Sequence, residues 1–369
     1  MSRVVVVGAG IVGASTAYHL AREGCQVVVV DPAASGAATA AGAGVISAVS
    51  TRPRPENGYL FAAVDYCADL VAELDDLGHD GHRYRPLGEL IVALDGDEAA
   101  RLAPLRAHVE CLTARYGGRC TGIPSQIDGA EARRLCPVLG PVAGALWLPA
   151  VACVDGRRLR NGLLAAALAQ GASLMRAPAS LSVSGSRITG VVTPAGPVGA
   201  DRVVLAAGAW SATLAGDAGV LLPVRPQRGQ IVHVRLPGAP EMPAASGFGA
   251  HYLLSIAAGR LAFGSTVEDV GFEYALTVGG IAEVVAETTR MAPALRRARY
   301  AGGRVGFRPV TPDAAPLAGV TGQRENLIVA TGLGSIGLTL GPYLGAQLAR
   351  MARGLPANVP ASYHPDRFG

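Results

Sequence analysis

Gly8, Gly10 and Gly13 stand in the spacing G-x-G-x-x-G, and a single carboxylate, Asp31, closes the apolar run that follows them. Residues of these types, so placed, can hold a dinucleotide. The first glycine allows a tight turn, the second lets main-chain N–H groups reach a pyrophosphate, and the third lets a helix pack close to a strand. A carboxylate at the end of the next strand can accept hydrogen bonds from an adenosine ribose. The elements needed to position them are legible. Val4 to Val7 is a short β-branched run suited to a buried strand. From Ile11 to Glu23 the apolar positions Val12, Ala17 and Leu20 share one helical face, and Gly24 is a C-terminal stop. Val27 to Val30 is a second buried strand ending at Asp31. The order points to an ADP-containing dinucleotide. The competing reading is an ordinary βαβ unit with incidental glycines.

What is missing narrows the chemistry further. The chain contains no lysine, so all 32 basic residues are arginine. That excludes a phosphate-binding Walker lysine, a lysine Schiff base and a lysine general base. Six cysteines (Cys25, Cys67, Cys111, Cys120, Cys136, Cys153) include no C-x-x-C pair, so thiols are expected rather than disulfides, and no metal site. A net charge of +4 with scattered arginines does not suggest nucleic acid. Half of the 369 residues are hydrophobic and 16% are charged, which suits a core-rich enzyme of two domains sharing one ligand. There is no targeting segment and no apolar run of about 20 residues, so a cytoplasmic chain without a transmembrane segment is expected.

Further along, the segment PAASGAATAAGAGVIS (32–47) is almost all small residues. Small side chains let backbone crowd a phosphate or a flat ring, so it reads as a cofactor-contacting loop rather than a linker. Helical spacing recurs over 56–78 at Leu60, Val64, Cys67, Val71, Leu74 and Leu77. Residues 87–94 read as a strand, 97–115 as a helix and 155–172 as a helix ending at Gly171. The stretch 180–211 reads as a meander followed by a buried strand, Val203 to Ala206, and 224–268 as an antiparallel sheet. Residues 326–352 repeat the opening grammar of strand, Gly-rich turn and helix. Nucleotide-binding grammar thus recurs at the start, middle and end, interleaved with β-rich segments, where a nicotinamide dehydrogenase usually keeps that domain contiguous.

These segments resemble the FAD-dependent amine and amino-acid oxidoreductases of the D-amino-acid oxidase superfamily. The likeness runs nearly the full chain and lies nearest glycine oxidase and the bacterial D-amino-acid dehydrogenases. It is carried by VVVVGAGIVG with Asp31, SGAATAAGAGVIS, VVLAAGAWS, RGQIVHV, GRLAFGSTVEDVGF, GFRPVTPDAAPLAG and VATGLGSIGLTLGP. The resemblance implies an α/β fold in which an FAD-binding Rossmann-like domain of glutathione-reductase type is interleaved with an antiparallel-sheet substrate domain. We expect the first from 1–82, 142–215 and 305–369, and the second from 83–141 and 216–304.

The resemblance also implies which residues touch FAD. The pyrophosphate would lie over Gly8, Gly10 and Gly13, with Ile11 and Val12 at a helix N-terminus whose dipole favours negative charge. Asp31, beside Pro32, would hold the ribose, and Ala179 would contact the adenine. Ala38, Thr39, Ala43, Gly44 and Val45 would line the diphosphate and ring, with Gly208 among the contacts. Leu333, Gly334, Ser335, Ile336, Gly337, Leu338 and Thr339 would run past the pyrimidine edge of the isoalloxazine, where a helix N-terminus stabilises developing negative charge.

For the substrate, Arg308 in GFRP matches the arginine that clamps a carboxylate in glycine oxidase and its relatives. A guanidinium offers two parallel donors and stays charged. Tyr252 matches a substrate-site tyrosine, and strand alternation allows only one of His251 and Tyr252 on the site face; Tyr252 is preferred. The side-chain pocket is expected from 246–268, with Phe248, Tyr252, Leu254 and Phe263, which favours an uncharged substrate side chain; a second arginine such as Arg228 could pair with an acidic one.

Gly306 stands where monomeric sarcosine oxidase tethers its flavin through cysteine, so FAD is expected to be noncovalent. That enzyme's oxygen-activating lysine has no counterpart. The implied reaction is oxidation of the C–N bond of a small amine or amino acid, as a neutral amine, by hydride transfer to flavin N5. The imino product then hydrolyses, and no general base is needed. The electron acceptor is O2 or a quinone. A quinone-linked dehydrogenase of a secondary amine, an NAD-dependent dehydrogenase and a non-catalytic flavoprotein are the alternatives; homo-oligomerisation stays open.

Overall fold

The structure is a computed structural model that describes residues 2–49, 57–117, 122–249 and 251–368. Cys120 and residue 56 of the expected 56–78 helix lie outside the described residues. Strand Arg3–Val7 sits inside a six-stranded sheet, parallel to Gln26–Val30 on one side and Arg202–Leu205 on the other. Ser173–Met175 extends one edge; Leu327–Thr331 and then the antiparallel Leu317–Val320 extend the other. The valines alternate as a strand requires. Val4 and Val6 pack into the cluster of helices Ile11–Arg22, Gly156–Ala169 and Gly337–Ala352. Val5 and Val7 pack on the opposite face, toward the meander Ser180–Ser184, Arg187–Thr193 and Gly196–Gly199. Both faces are covered, which is why these strands read as unbroken apolar runs.

Glycines set the closeness of the layers. A Cβ on Gly13 would stand 1.9 Å from the Gly8 carbonyl oxygen, so only glycine lets the first helix settle on its strand. On helix Gly337–Ala352, a Cβ at Gly345 would fall 2.6 Å from Ser15 Cβ, and one at Gly341 2.7 Å from Ile11 Cγ2. The first and last helices therefore pack face to face, and Ser15 Oγ donates to the Pro342 carbonyl at 2.7 Å.

The other large unit is an eight-stranded sheet in the order Arg299–Val310, Arg225–Arg235, Arg260–Gly264, Tyr252–Ala257, Ala244–Ser246, Glu89–Ala93, Gly144–Leu148, Ser125–Ile127. All pairs are antiparallel except Ala244–Ser246 with Glu89–Ala93. Divided by sheet membership, the chain departs from the expected boundaries twice. Gly144–Leu148 belongs to this sheet although 142–215 was assigned to the nucleotide part, and Arg299–Val310 runs across the 304/305 boundary.

Locally, the expected 56–78 helix is Asn57–Asp76, with Leu60, Val64, Cys67, Val71 and Leu74 buried; Leu77 falls past its end and is 49% exposed. The 97–115 stretch is two helices, Gly96–Ala100 and Leu102–Tyr116, rather than one. Asp155 caps Gly156–Ala169, accepting from Arg158 N–H at 3.1 Å. Among the described residues, Cys25, Cys111, Cys136 and Cys153 are free thiols. No described helix is long and apolar enough to cross a membrane.

Candidate active site

The two sheets face each other across a cleft of about 1360 Å³. One wall is the C-terminal edge of the six-stranded sheet. There Gly8, Gly10, Ile11 and Val12 lead from the first strand into the first helix, and Asp31 and Pro32 follow the second strand. Gly8 has φ +103°, and a Cβ there would stand 2.4 Å from the Ala206 carbonyl oxygen, so the turn is closed to other residues. Thr39 Oγ1 accepts from the Ile11 N–H at 3.0 Å, tying the small-residue segment to the start of the helix. That segment forms a short helix, Ala38–Ala41, and a two-residue strand, Val45–Ile46, whose residues Ala38, Thr39, Ala43, Gly44 and Val45 line the cleft. Gly208, Leu333, Gly334, Ser335, Gly337 and Leu338 line it as well, and Ala179 lies beside Ala177 and Pro178 at the Asp31 end.

Three residues expected at this wall stand behind it. Gly13 is under the helix as packing requires, and neither Ile336 nor Thr339 lines the cleft. Thr339 is buried, with its hydroxyl accepting from Ser47 N–H at 3.2 Å, so it holds the Val45–Ser47 segment in place. Asp31 is engaged twice over: Ala9 N–H donates to Oδ2 at 2.5 Å and Ala33 N–H to Oδ1 at 2.6 Å, with the Arg176 guanidinium at 3.6 Å. Arg157 and Arg160, which sequence reasoning missed, also reach the cleft at this end.

The wall is suited to FAD. The N-cap residues of the two helices that open on it, Gly10 before Ile11–Arg22 and Ile336 before Gly337–Ala352, give no side-chain cap; Thr39 takes the Ile11 N–H, and the other first-turn N–H groups and the positive dipole ends serve the cleft. Gly208 and Gly334 have positive φ and nothing within 4 Å of a built Cβ, so the wall there is bare main chain. Asp31 and Arg308 both line this one cleft.

The opposite wall belongs to the eight-stranded sheet. Arg308 pairs with Gln227 across adjacent strands. Its Nη2 donates to Ser265 Oγ at 2.5 Å and its Nη1 to the Thr266 carbonyl at 3.2 Å. The guanidinium lies over Gly229, where a Cβ would stand 2.5 Å from Nη2. Enclosure works against its charge and lowers its pKa, while Tyr252 and Glu268 act the other way. Among the described residues no carboxylate pairs with it: Glu268, the nearest acid acting on it, is bound to Arg228. An enclosed cation facing a cleft without a counter-ion is a receptor for an anion.

Tyr252 stands three strands from Arg308 in the sheet, opposite Gly264, where a Cβ would be 3.0 Å from the phenol oxygen. Burial pushes its pKa up to about 12, against the pull of Arg308 and Ser265, so it remains a donor at neutral pH. Glu89, on the neighbouring part of the wall, accepts from Ser246 Oγ at 2.8 Å, and burial raises its pKa. Ser265, Gly229, Gly264 and Glu89 had not been singled out from sequence.

Several expectations for this wall need correction. His251 and Tyr252 both line the cleft, because the strand begins at Tyr252 and His251 precedes the alternating register; its Nε2 is 3.3 Å from Glu283. Phe263 pairs with Leu253 on the opposite face, inside the core under helix Val278–Met291. Leu254 lines a smaller cavity instead, and Phe248 packs elsewhere, with the Arg101 guanidinium 4.0 Å over its ring. Arg228 cannot serve an acidic substrate: alternation turns it away from Gln227 and Gly229, and it is buried against Glu268 and Glu273.

A parallel nucleotide-binding sheet, interrupted in sequence by a mixed sheet that roofs one shared cleft, defines an oxidoreductase of flavin-binding type. Residues 3–351 match the family model DAO, described as FAD dependent oxidoreductase, and the chain belongs to that family and uses FAD. It is 34% identical over 372 residues to the "Uncharacterized oxidoreductase YurR" of Bacillus subtilis, covering 99% of each chain. It is 30% identical over 376 residues to a glycine oxidase of Pseudomonas putida, covering 99% of this chain and 98% of that one. The solved structure of an iminodiacetate oxidase from Chelativorans sp. BNC1 superposes with a TM-score of 0.93 at 36% identity, covering 98% of this chain and 99% of that one.

Proposed function

We propose that this enzyme oxidises the C–N bond of a small amino acid or carboxylate-bearing amine, giving an imino product that hydrolyses in water. The observation that carries the reading is Arg308, an enclosed guanidinium on the substrate wall with no carboxylate partner among the described residues. A substrate carboxylate supplies that partner through two parallel N–H donors. Tyr252 adds a hydroxyl donor from the same wall. FAD held on the nucleotide wall would supply the acceptor for the hydride that leaves the substrate carbon. The chain's part is to orient the substrate by its carboxylate, exclude water and let the amine shed its proton to solvent as the imine forms. No cleft-lining side chain is assigned as a base.

On the nucleotide wall, Gly8, Gly10, Ile11 and Val12 would serve the pyrophosphate, Asp31 the ribose, and Leu333, Gly334, Ser335, Gly337 and Leu338 the pyrimidine edge of the ring. Noncovalent FAD is favoured by Gly306, which offers no side chain, and by the lack of a thiol among the described residues lining the cleft. The glycine oxidase and the iminodiacetate oxidase among its relatives both act, by their names, on amines that bear carboxylates. The acceptor is O2 or a quinone.

The test is anaerobic mixing of the holoenzyme with glycine, sarcosine, iminodiacetate and D- and L-amino acids, following flavin absorbance, and then admission of air. Bleaching by a carboxylate-bearing amine supports the reading. Recovery of colour in air identifies an oxidase, and recovery only with a quinone identifies a dehydrogenase. A flavin that no member of the panel bleaches refutes it.

A further inference from the structure

Asp31 and Glu89 are the two carboxylates among the described residues that line the cleft. Asp31 is committed to the nucleotide wall, whereas Glu89 belongs to the sheet that faces it. Glu89 Oε1 accepts from Ser246 Oγ at 2.8 Å, and its other oxygen has no hydrogen-bond partner among the described residues. No described cation pairs with it. Arg85, which acts on the same Cys153 thiol as Glu89 does, is paired to Glu241. Enclosure therefore works on the carboxyl with only Ser246 opposing it, and raises its pKa. A desolvated carboxyl with an open oxygen on a binding cleft is a receptor for a cationic donor.

Position decides which part of a substrate it meets. The Arg308 guanidinium lies over Gly229 in strand Arg225–Arg235, and the Glu89 carboxyl reaches Ser246 in strand Ala244–Ser246. Those two strands are three places apart in the sheet, which is roughly 14 Å at the usual spacing. An α-amine sits one carbon from the carboxylate that Arg308 holds, so it cannot touch Glu89; the far end of a long side chain can. Six bonds of extended chain, from the carboxylate carbon to the terminal nitrogen of lysine, cover roughly 7 Å. A hydrogen bond at each end adds about 3 Å, and the total matches the separation. Tyr252, the strand neighbour of Ser246, lies between the two ends, and Ile91 flanks Glu89 on the same face, so methylenes have apolar surface to cover. Phe248, Leu254 and Phe263, which favoured an uncharged side chain, do not line this cleft.

We propose that Glu89 is a specificity residue that accepts the ammonium of a basic side chain, so that the preferred substrate is a diamino acid of about lysine length. This rests on the carboxylate clamp at Arg308 proposed above. The test is anaerobic reduction of the holoenzyme by both enantiomers of ornithine and lysine, of their uncharged isosteres norleucine and 2-aminoheptanoate, and of the acidic 2-aminoadipate, beside glycine and sarcosine. Lysine should half-reduce the flavin at a concentration about tenfold or more below that of 2-aminoheptanoate, the scale of one charge-assisted hydrogen bond. That preference is read on the parent and needs no variant. In Glu89→Gln, which keeps the shape and loses the charge, the ratio should collapse towards one, with FAD content and melting temperature as controls on folding. An uncharged isostere that matches or betters lysine overturns the inference. So does a preference for 2-aminoadipate, which would make a protonated Glu89 the donor, and so does a Glu89→Gln enzyme that keeps the parent's preference. Bleaching by glycine or sarcosine alone overturns it and leaves C–N oxidation standing, whereas bleaching by no amine overturns the C–N reading itself.

Discussion

Replacing Arg308 with alanine removes the guanidinium donors that face the cleft, together with their contacts to Ser265 and Thr266. A carboxylate held by two charge-assisted hydrogen bonds gains about 1.5–3 kcal/mol from each. Part of the loss is recovered, since the variant no longer has to keep an enclosed cation unpaired when substrate is absent. Taking the lower bound for the pair, about 3 kcal/mol, the half-saturating substrate concentration rises by roughly a hundredfold or more. Arg308→Lys keeps the charge but loses the fork of parallel donors, so its loss is smaller, about tenfold. Gly229→Ala tests the same geometry without touching the arginine, because its Cβ would stand 2.5 Å from Nη2 and the guanidinium must move. The assay is anaerobic flavin reduction at graded substrate, with far-UV circular dichroism and FAD content as controls on folding. An Arg308→Ala enzyme that keeps its FAD and is reduced at the parent's substrate concentration refutes the carboxylate clamp.

Other perturbations probe the nucleotide wall and the linked protons. Asp31→Ala should weaken FAD by about 1.5–3 kcal/mol, seen as flavin lost on dialysis, and it also removes the acceptor that holds the Ala9 and Ala33 N–H groups. Acid precipitation should release the yellow colour into the supernatant; colour kept in the pellet contradicts noncovalent binding. Glu89 has a folded pKa raised by burial above its ordinary 4.5, so the folded state binds the extra proton and stability falls as pH rises from about 4.5 through the raised value. Glu89→Gln should therefore raise the melting temperature at pH 8 relative to the parent, with the gain shrinking toward pH 4.5. A gain of equal size at both pH values would place the effect elsewhere.

The nucleotide wall was legible because its signals are local. Gly8, Gly13 and Asp31 lie within one strand–helix–strand unit; Gly13 and Asp31 do their work against neighbours in or beside that unit, and Gly8 alone is closed by a later strand, at Ala206. The substrate wall is built from register instead. Gly229 and Ser265 meet Arg308 only because Arg225–Arg235 lies between Arg260–Gly264 and Arg299–Val310, and no spacing in the sequence announces that. Alternation was the right rule applied from the wrong origin at His251, which precedes its strand. The same rule, given the strands' bounds, accounts for Phe263 and Arg228, which share the sheet face turned away from the cleft. Glu89 escaped notice because a lone carboxylate in a strand carries no local signature; its partner Ser246 comes from a distant strand.

The central claim, that an enclosed arginine selects amines by their carboxylate, is tested most directly by matched pairs of substrates. The anaerobic holoenzyme is mixed with an amino acid that reduces it and, separately, with the same amine lacking the carboxylate. The amino acid is expected to bleach the flavin at a concentration about a hundredfold or more below that needed for the bare amine, matching the contact energy assigned to Arg308. Equal reduction by both members of the pair would contradict the account.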